Sequence, residues 1–197
     1  AFLRGYIDPR RSAPADDLIT HLIAAEEDGE RLSTDELIST CILLLNAGHE
    51  ATVHSMGNAA KLLMELDCGQ VDAAVVEEAL RLDPPLHLFE RHVYEDLELF
   101  GHLFRRGDRV ACLLAAANRD PSAYADPAAF RPGRAGPQNA AFGAGIHFCV
   151  GAPLARLELL VGLRVLFERC PTLRLTEAPR YADVYHFHGL ERLMVTR

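Results

Sequence analysis

The sequence lacks a long hydrophobic run. Its longest unbroken apolar stretch, Cys41 to Leu45, is far too short to span a bilayer. No secretory signal is visible, so neither insertion in a membrane nor export is expected. An excess of positive charge is also missing. Twenty Lys and Arg stand against 28 Asp and Glu, a net charge of −8, which gives no general pull toward nucleic acid. Paired cysteines are missing too. Cys41, Cys68, Cys112, Cys149 and Cys170 are an odd number without a Cys-x-x-Cys pair. That is the pattern of reduced thiols in a cytoplasm rather than of a disulfide framework. There is no internal repeat and no low-complexity tract. What is present is 49% apolar residues over 197 positions, enough for a sizeable core in one domain spanning 1–197 and too much for a disordered chain.

The element signals predict a mainly α fold with small β-sheets. Residues 1–11 read as the end of a helix, and 16–27 as an amphipathic helix stopped near Gly29. Ser33-Thr-Asp-Glu36 is a capping box. From it to Leu66 no proline intervenes, which allows one helix of about 34 residues, about 50 Å long. Residues 41–47 are almost wholly apolar, which predicts burial on all sides of that helix. Residues 72–82 predict a helix closed by Asp83-Pro84-Pro85, 86–93 a strand, 97–104 a hairpin and 110–117 an apolar strand. A turn and short helix are expected from Asn118, and irregular chain over 126–138. A helix over 152–169 and short closing strands within 173–176 and 184–195 complete the reading.

The chemistry concentrates in Ala141 to Arg156. Three glycines, Gly143, Gly145 and Gly151, surround Cys149, and Pro153 opens the helix that follows. A thiol at a helix N-terminus is favoured as the thiolate. Such a thiolate can be a metal ligand, a nucleophile or a redox switch.

The long helix carries a second unusual stretch, Ala47-Gly48-His49-Glu50-Ala51-Thr52. His-Glu opens the zinc-hydrolase pattern His-Glu-x-x-His. Here, however, the second histidine is His54, roughly 140° around the helix axis from His49, so a zinc site is rejected. A third pattern, Glu78-Ala-Leu-Arg81, puts a carboxylate and a guanidinium on one face of the helix before Pro84.

The spacing Phe142-Gly143-x-Gly145-x-His147-x-Cys149-x-Gly151 resembles the haem-binding loop of the cytochrome P-450, or haem-thiolate monooxygenase, superfamily. The resemblance runs from about residue 16 to the C-terminus and covers the C-terminal half of a typical member. It implies a P-450-like α+β fold whose N-terminal half is absent, with haem b (iron protoporphyrin IX) as cofactor. Cys149 would be the axial thiolate and metal ligand, a donor that pushes electron density onto iron. His147 and Arg91 would hold the haem propionates, with Phe142, Gly143 and Gly151 shaping the loop. Gly48 and Glu50 would lie at the family's oxygen-binding kink in the central helix. The family's threonine, which helps deliver protons there, falls one place late as Thr52, and Ala51 takes its position. Glu78 and Arg81 would be the structural Glu-x-x-Arg pair, closed by Arg131 or Arg134.

The implied activity is hydroxylation of a small organic substrate. Electrons would come from a ferredoxin-type partner docking near Arg105, Arg106, Arg131, Arg134 and Arg156. The missing half implies an apolar face open to self-association or to a partner chain. The alternative from a different class is a haem-free, inactive remnant that binds a partner through that face.

Overall fold

The computed structural model describes residues 2–27, 30–184 and 186–197; Gly29, the expected stop of the second helix, lies outside them. The chain divides into two compact units, Ala1–Glu50 and Ala51–Arg197.

In the first unit, α1 (Arg4–Ser12) and α2 (Leu18–Ala24) precede a short antiparallel ladder of β1 (Glu26–Glu27) with β2 (Glu30–Arg31). The expected helix over 16–27 is thus shorter at both ends. Asp17 takes the N-cap, its carboxylate accepting the Thr20 N–H at 2.8 Å. That bond and the Arg10 guanidinium hold the Asp17 pKa down at about 2. Helix α3 (Thr34–Glu65) starts in this unit and continues into the second. The capping box closes as expected. The Ser33 N–H donates to Glu36 at 2.8 Å and the Glu36 N–H to Ser33 Oγ at 3.3 Å. Ile7, Leu37 and Cys41 are buried. Residues 41–47 are not buried on all sides: Ile42, Leu43 and Leu45 are 47%, 64% and 66% exposed. An apolar run shows which side chains avoid water, but the cover must come from another element.

The second unit holds the main core. Helix α4 (Ala73–Leu82) packs on the C-terminal part of α3 and on α6 (Ala152–Arg169). Asp72 caps α4 by accepting the Val75 N–H at 2.9 Å. Ala59, Ala60 and Leu63 of α3, Val75, Val76 and Ala79 of α4, and Leu159, Leu163 and Phe167 of α6 form the buried cluster.

Between α4 and α6 lie β3 (Leu88–His92), β4 (Leu97–Leu99), β5 (His102–Phe104), β6 (Arg109–Leu113) and α5 (Leu114–Ala117). β3 pairs with β6, and β4 with β5. The β4–β5 turn, Phe100-Gly101, has φ +55° and +73°, the two-residue geometry that favours glycine. The strand expected over 110–117 ends at Leu113. There the chain turns into α5, which buries Leu114 and leads to Asn118. After α6, β7 (Arg174–Leu175) pairs with β10 (Val195–Thr196), and β8 (Arg180–Tyr181) with β9 (Leu190–Arg192). All these ladders are antiparallel and two-stranded. Among the described residues no helix is long and apolar enough to cross a membrane.

Candidate functional site

The loop before α6 is set by its own backbone. Gly143 and Gly145 have φ +71° and +68°, a region that strains any residue with a Cβ. Their turns let the Gly143 N–H reach Ala140 O at 2.9 Å and the Phe148 N–H reach Gly145 O at 3.0 Å. The Cys149 N–H then donates back to Phe142 O at 3.0 Å, closing the loop on itself. Gly145–His147 is a single 3-10 turn. Cys149 O accepts from Ala152 at 3.2 Å, and Ala152, fully buried, opens α6 with Pro153 in its first turn.

The Cys149 side chain is half-buried, and among the described residues no group donates to or accepts from its sulfur. Around it Ile146 and Val150 are 97% and 87% exposed, and Phe148 is also exposed. His147 is exposed on the 3-10 turn. Phe142 is half-buried, edge-on to Phe148 at 6.5 Å, with the Arg156 guanidinium 4.6 Å above its ring. Arg156 pairs in turn with Glu77 of α4. Gly151 has an ordinary φ of −83°, and a Cβ there would meet Cys149 Sγ only at 3.8 Å. Its own chain therefore does not demand glycine at 151.

Behind the loop lies a buried ion network. Arg81 Nε and one terminal nitrogen each donate to Glu78 at 2.8 Å, with both residues 2–3% exposed. Arg134 Nε reaches both oxygens of the same carboxylate at 3.0 and 3.1 Å, so Arg134 is the arginine that closes the network. Arg131 contributes its backbone N–H to Glu78 at 2.8 Å, while its side chain turns to Asp126. Burial pushes the Glu78 carboxyl up, but the bonds from Arg81, the Arg131 N–H and Arg134 outweigh it and hold the pKa below its ordinary value. The Tyr124 ring packs beneath both guanidiniums, 5.3 and 6.0 Å from their central carbons.

Arg81 also donates to Asn118 O at 2.8 Å, and Asn118 Oδ1 accepts the Ala140 N–H at 2.6 Å. Asn118 is the physical link from the Glu78–Arg81 pair to the cysteine loop. Sequence reading noted the Asn118-Arg-Asp-Pro121 turn but not this role. Nothing in the sequence pattern signalled Tyr124, or Asn139, whose Oδ1 accepts the Ala141 N–H at 3.1 Å and whose Nδ2 donates to Glu77 at 3.0 Å.

The structure thus brings Phe142, Gly143, His147, Cys149 and Gly151 onto one anchored loop. Arg91 stands on β3, exposed, its guanidinium donating to Glu90 O at 2.9 Å. Gly48, Glu50, Ala51 and Thr52 lie on α3, which is helical without a break through Gly48. Gly48 and Glu50 are exposed, Ala51 and Thr52 half-buried. A Cβ at Gly48 would meet nothing within 4 Å, so packing within the chain does not explain that glycine. Of the suggested docking arginines, Arg134 is half-buried and held in the network, and Arg105, Arg131 and Arg156 are paired with Asp96, Asp126 and Glu77.

Comparison with known proteins fits this geometry. The family model described as Cytochrome P450 matches residues 71–179, which include α4, the Glu78–Arg81 pair and the cysteine loop. The biotin biosynthesis cytochrome P450 of Bacillus subtilis (strain 168) is 36% identical over 205 residues, covering 100% of this chain and 52% of that protein. The solved structure of the cytochrome P450 PksS of Bacillus subtilis 168 aligns with a TM-score of 0.92 at 36% identity, covering 99% of this chain and 53% of its own. The structure of P450BioI, solved with a fatty-acid-ligated acyl carrier protein, aligns with a TM-score of 0.90 at 35% identity, covering 99% and 52%. The chain spans about half the length of the relatives it matches. With a family match over more than half of its residues, centred on the loop and network described above, the chain belongs to the cytochrome P450 family.

Proposed function

We propose that this chain is the cysteine-ligating part of a haem-thiolate monooxygenase acting on a small organic substrate in the cytoplasm. Residues 1–197 would form one haem domain that takes electrons from a ferredoxin-type donor. The observation that carries the reading is the Cys149 thiol. It is half-buried and has no partner among the described residues, on a loop clamped by two positive-φ glycines and tied through Asn118 to Arg81. The donor set fits haem b. A cysteine thiolate is a soft donor suited to haem iron. The exposed apolar Ile146, Phe148 and Val150 beside it suit a large flat apolar group. Gly151, which its own surroundings do not require, leaves the space beside the sulfur open.

When bound, the haem supplies redox-driven insertion of one atom of dioxygen into a C–H bond. The residues of the chain hold and shield it. Cys149 would supply the thiolate that ligates its iron. Arg91 and His147, both exposed cationic or protonatable groups, hold the propionates. Glu50, beside Gly48 on α3, would relay protons, with water or a substrate hydroxyl standing in for the hydroxyl missing at Ala51. The exposed Ile42, Leu43 and Leu45 are the face that further chain or a partner covers.

The direct test is titration of the purified chain with haemin, followed by reduction under carbon monoxide. A one-to-one complex with a strongly red-shifted Soret band is expected. Failure to bind haem at all would favour a haem-free, partner-binding role. The proton assignment has its own test in the haem-loaded protein. Ala51→Thr should lower the share of electrons lost as hydrogen peroxide. An unchanged share would remove Ala51 and Glu50 from the proton path.

A further inference from the structure

A second cluster of ligating side chains gathers around Asp83, the residue that closes α4, and does not depend on the haem reading. Asp83 divides its two carboxylate oxygens. Oδ2 accepts the Tyr181 hydroxyl at 2.5 Å and lies 3.1 Å from Lys61 Nζ. Oδ1 lies 3.3 Å from His188 Nε2. His188 is sandwiched, with Tyr181 stacked on one side at 3.9 Å and His87 at 4.0 Å. Asp83, His87 and His188 are half-buried and each offers a ligand atom within 4.8 Å of the others.

The backbone around them is fixed. The His188 N–H donates to Pro85 O at 2.7 Å, and Asn58 Nδ2 to His188 O at 2.8 Å. Asn58 is fully buried, as a strut for this corner should be. Two imidazoles and one carboxylate are a donor set for zinc and its neighbours, with ligand bonds of about 2.0–2.1 Å. Two such ligands in a tetrahedral shell stand about 3.3 Å apart, the separation that already holds between Asp83 Oδ1 and His188 Nε2. Tyr181 and Lys61 on Oδ2 are the kind of outer hydrogen bonds that orient a ligating carboxylate. The Lys61 charge is shared with Glu65 at 3.6 Å as well as with Asp83. The other cation acting on both histidines' surroundings is Arg119, whose guanidinium donates to Leu82 O.

We propose that Asp83, His87 and His188 form a three-ligand site for a divalent transition ion of the zinc type, with water in the fourth position. His87, tilted 26° from His188, swings off the stack to complete it. The ion would pin the end of α4 to the start of β3 and to the segment before β9, a structural clamp remote in sequence.

The test uses the untagged full chain, freed of metal with a chelator and titrated with zinc chloride by calorimetry. One equivalent is expected to bind at micromolar affinity or tighter. With free zinc about a hundredfold above Kd, the melting midpoint should rise by about 5–10 °C. His87→Phe and His188→Phe keep a ring in the stack but remove a ligand, and each should weaken binding about tenfold or more. The chain also carries free thiols, which bind zinc on their own. Cobalt separates the two, because thiolate ligands add near-ultraviolet charge-transfer bands that a His/His/Asp site lacks. The proposal is overturned by wild-type protein that binds no zinc in this range. It is equally overturned if both variants, checked for native circular dichroism, bind zinc as wild type does.

Discussion

Cys149→Ser should remove the red-shifted Soret band expected of the reduced carbon-monoxide complex and leave the apo fold intact. The two halves of this result have separate causes. The sulfur accepts and donates no hydrogen bond among the described residues, and the residue is only half-buried. The loop is held by its backbone instead: Cys149 N–H to Phe142 O, Ala152 N–H to Cys149 O, and the two positive-φ glycines. Serine keeps all of these, so unfolding free energy should change by less than about 1 kcal/mol. The ligand chemistry does not survive the exchange. A cysteine offers iron a thiolate, whereas a serine hydroxyl stays protonated. The soft anionic sulfur proposed to donate to iron would therefore be lost. Spectra of both proteins loaded with equal haem, beside urea melts of both apo-proteins, check the two halves together. An unshifted band in the wild type, or an identical band in the variant, would take Cys149 out of the ligand position.

Much of the fold was legible because its boundaries are written locally. Asp72 caps α4, the capping box at Ser33 starts α3, and Pro153 starts α6. Each signal lies within four residues of the structure it sets. The hairpin of β4 and β5 was legible for the same reason, since its turn is Phe100-Gly101. What was not legible depends on contacts distant in sequence. Arg131 and Arg134 are three positions apart in irregular chain, and only the path of that chain decides which guanidinium meets Glu78. Asp83 and His188 come from opposite sides of α6, so no local spacing announces their meeting. Residues 41–47 failed in another way. Their apolar character was read correctly, but it states a need for cover and not that the cover is present. The site residues divide along the same line. The loop around Cys149 is a contiguous motif. Arg91, Glu50 and Thr52 rest on the family pattern alone, and their surroundings here add little to it.

Glu78→Gln should cost about 3–5 kcal/mol of stability at neutral pH, because it strips the counter-charge from the buried Arg81 and the half-buried Arg134. The carboxylate takes four kinds of bond at once: Nε and a terminal nitrogen of Arg81, the Arg131 N–H, and Arg134 Nε. Every one of these partners is a donor. A glutamine amide presents its own donors to them, so at least one buried N–H faces another. The remaining bonds of Arg81, to Asn118 O, Pro127 O and Ala129 O, are to neutral carbonyls and cannot balance the charge. Set against a typical domain stability of about 5–15 kcal/mol, the loss is a large fraction of the whole.

Acid supplies the same test without mutation. Burial raises the Glu78 pKa, but its donors hold it below the ordinary 4.5. The carboxylate's contribution is therefore complete above 4.5 and is lost as pH falls through the depressed folded value. Urea midpoints measured from neutral pH downward should fall in the wild type on that acid limb and fall less in Glu78→Gln. Arg131→Ala, which keeps the backbone N–H on Glu78 and removes only an exposed pair, should change stability by no more than about 0.5 kcal/mol. Arg134→Ala should cost several times more. Equal effects of the two arginine variants would contradict the network as drawn. The consequence reaches the candidate site through Asn118, which carries Arg81 on its carbonyl and Ala140 on its side chain. If Arg81 loses its carboxylate, Asn118 loses its anchor, and the loop that presents Cys149 is held at one end only. Haem affinity should then fall in Glu78→Gln even where the chain remains folded, a coupling that a purely local role for the pair would not produce.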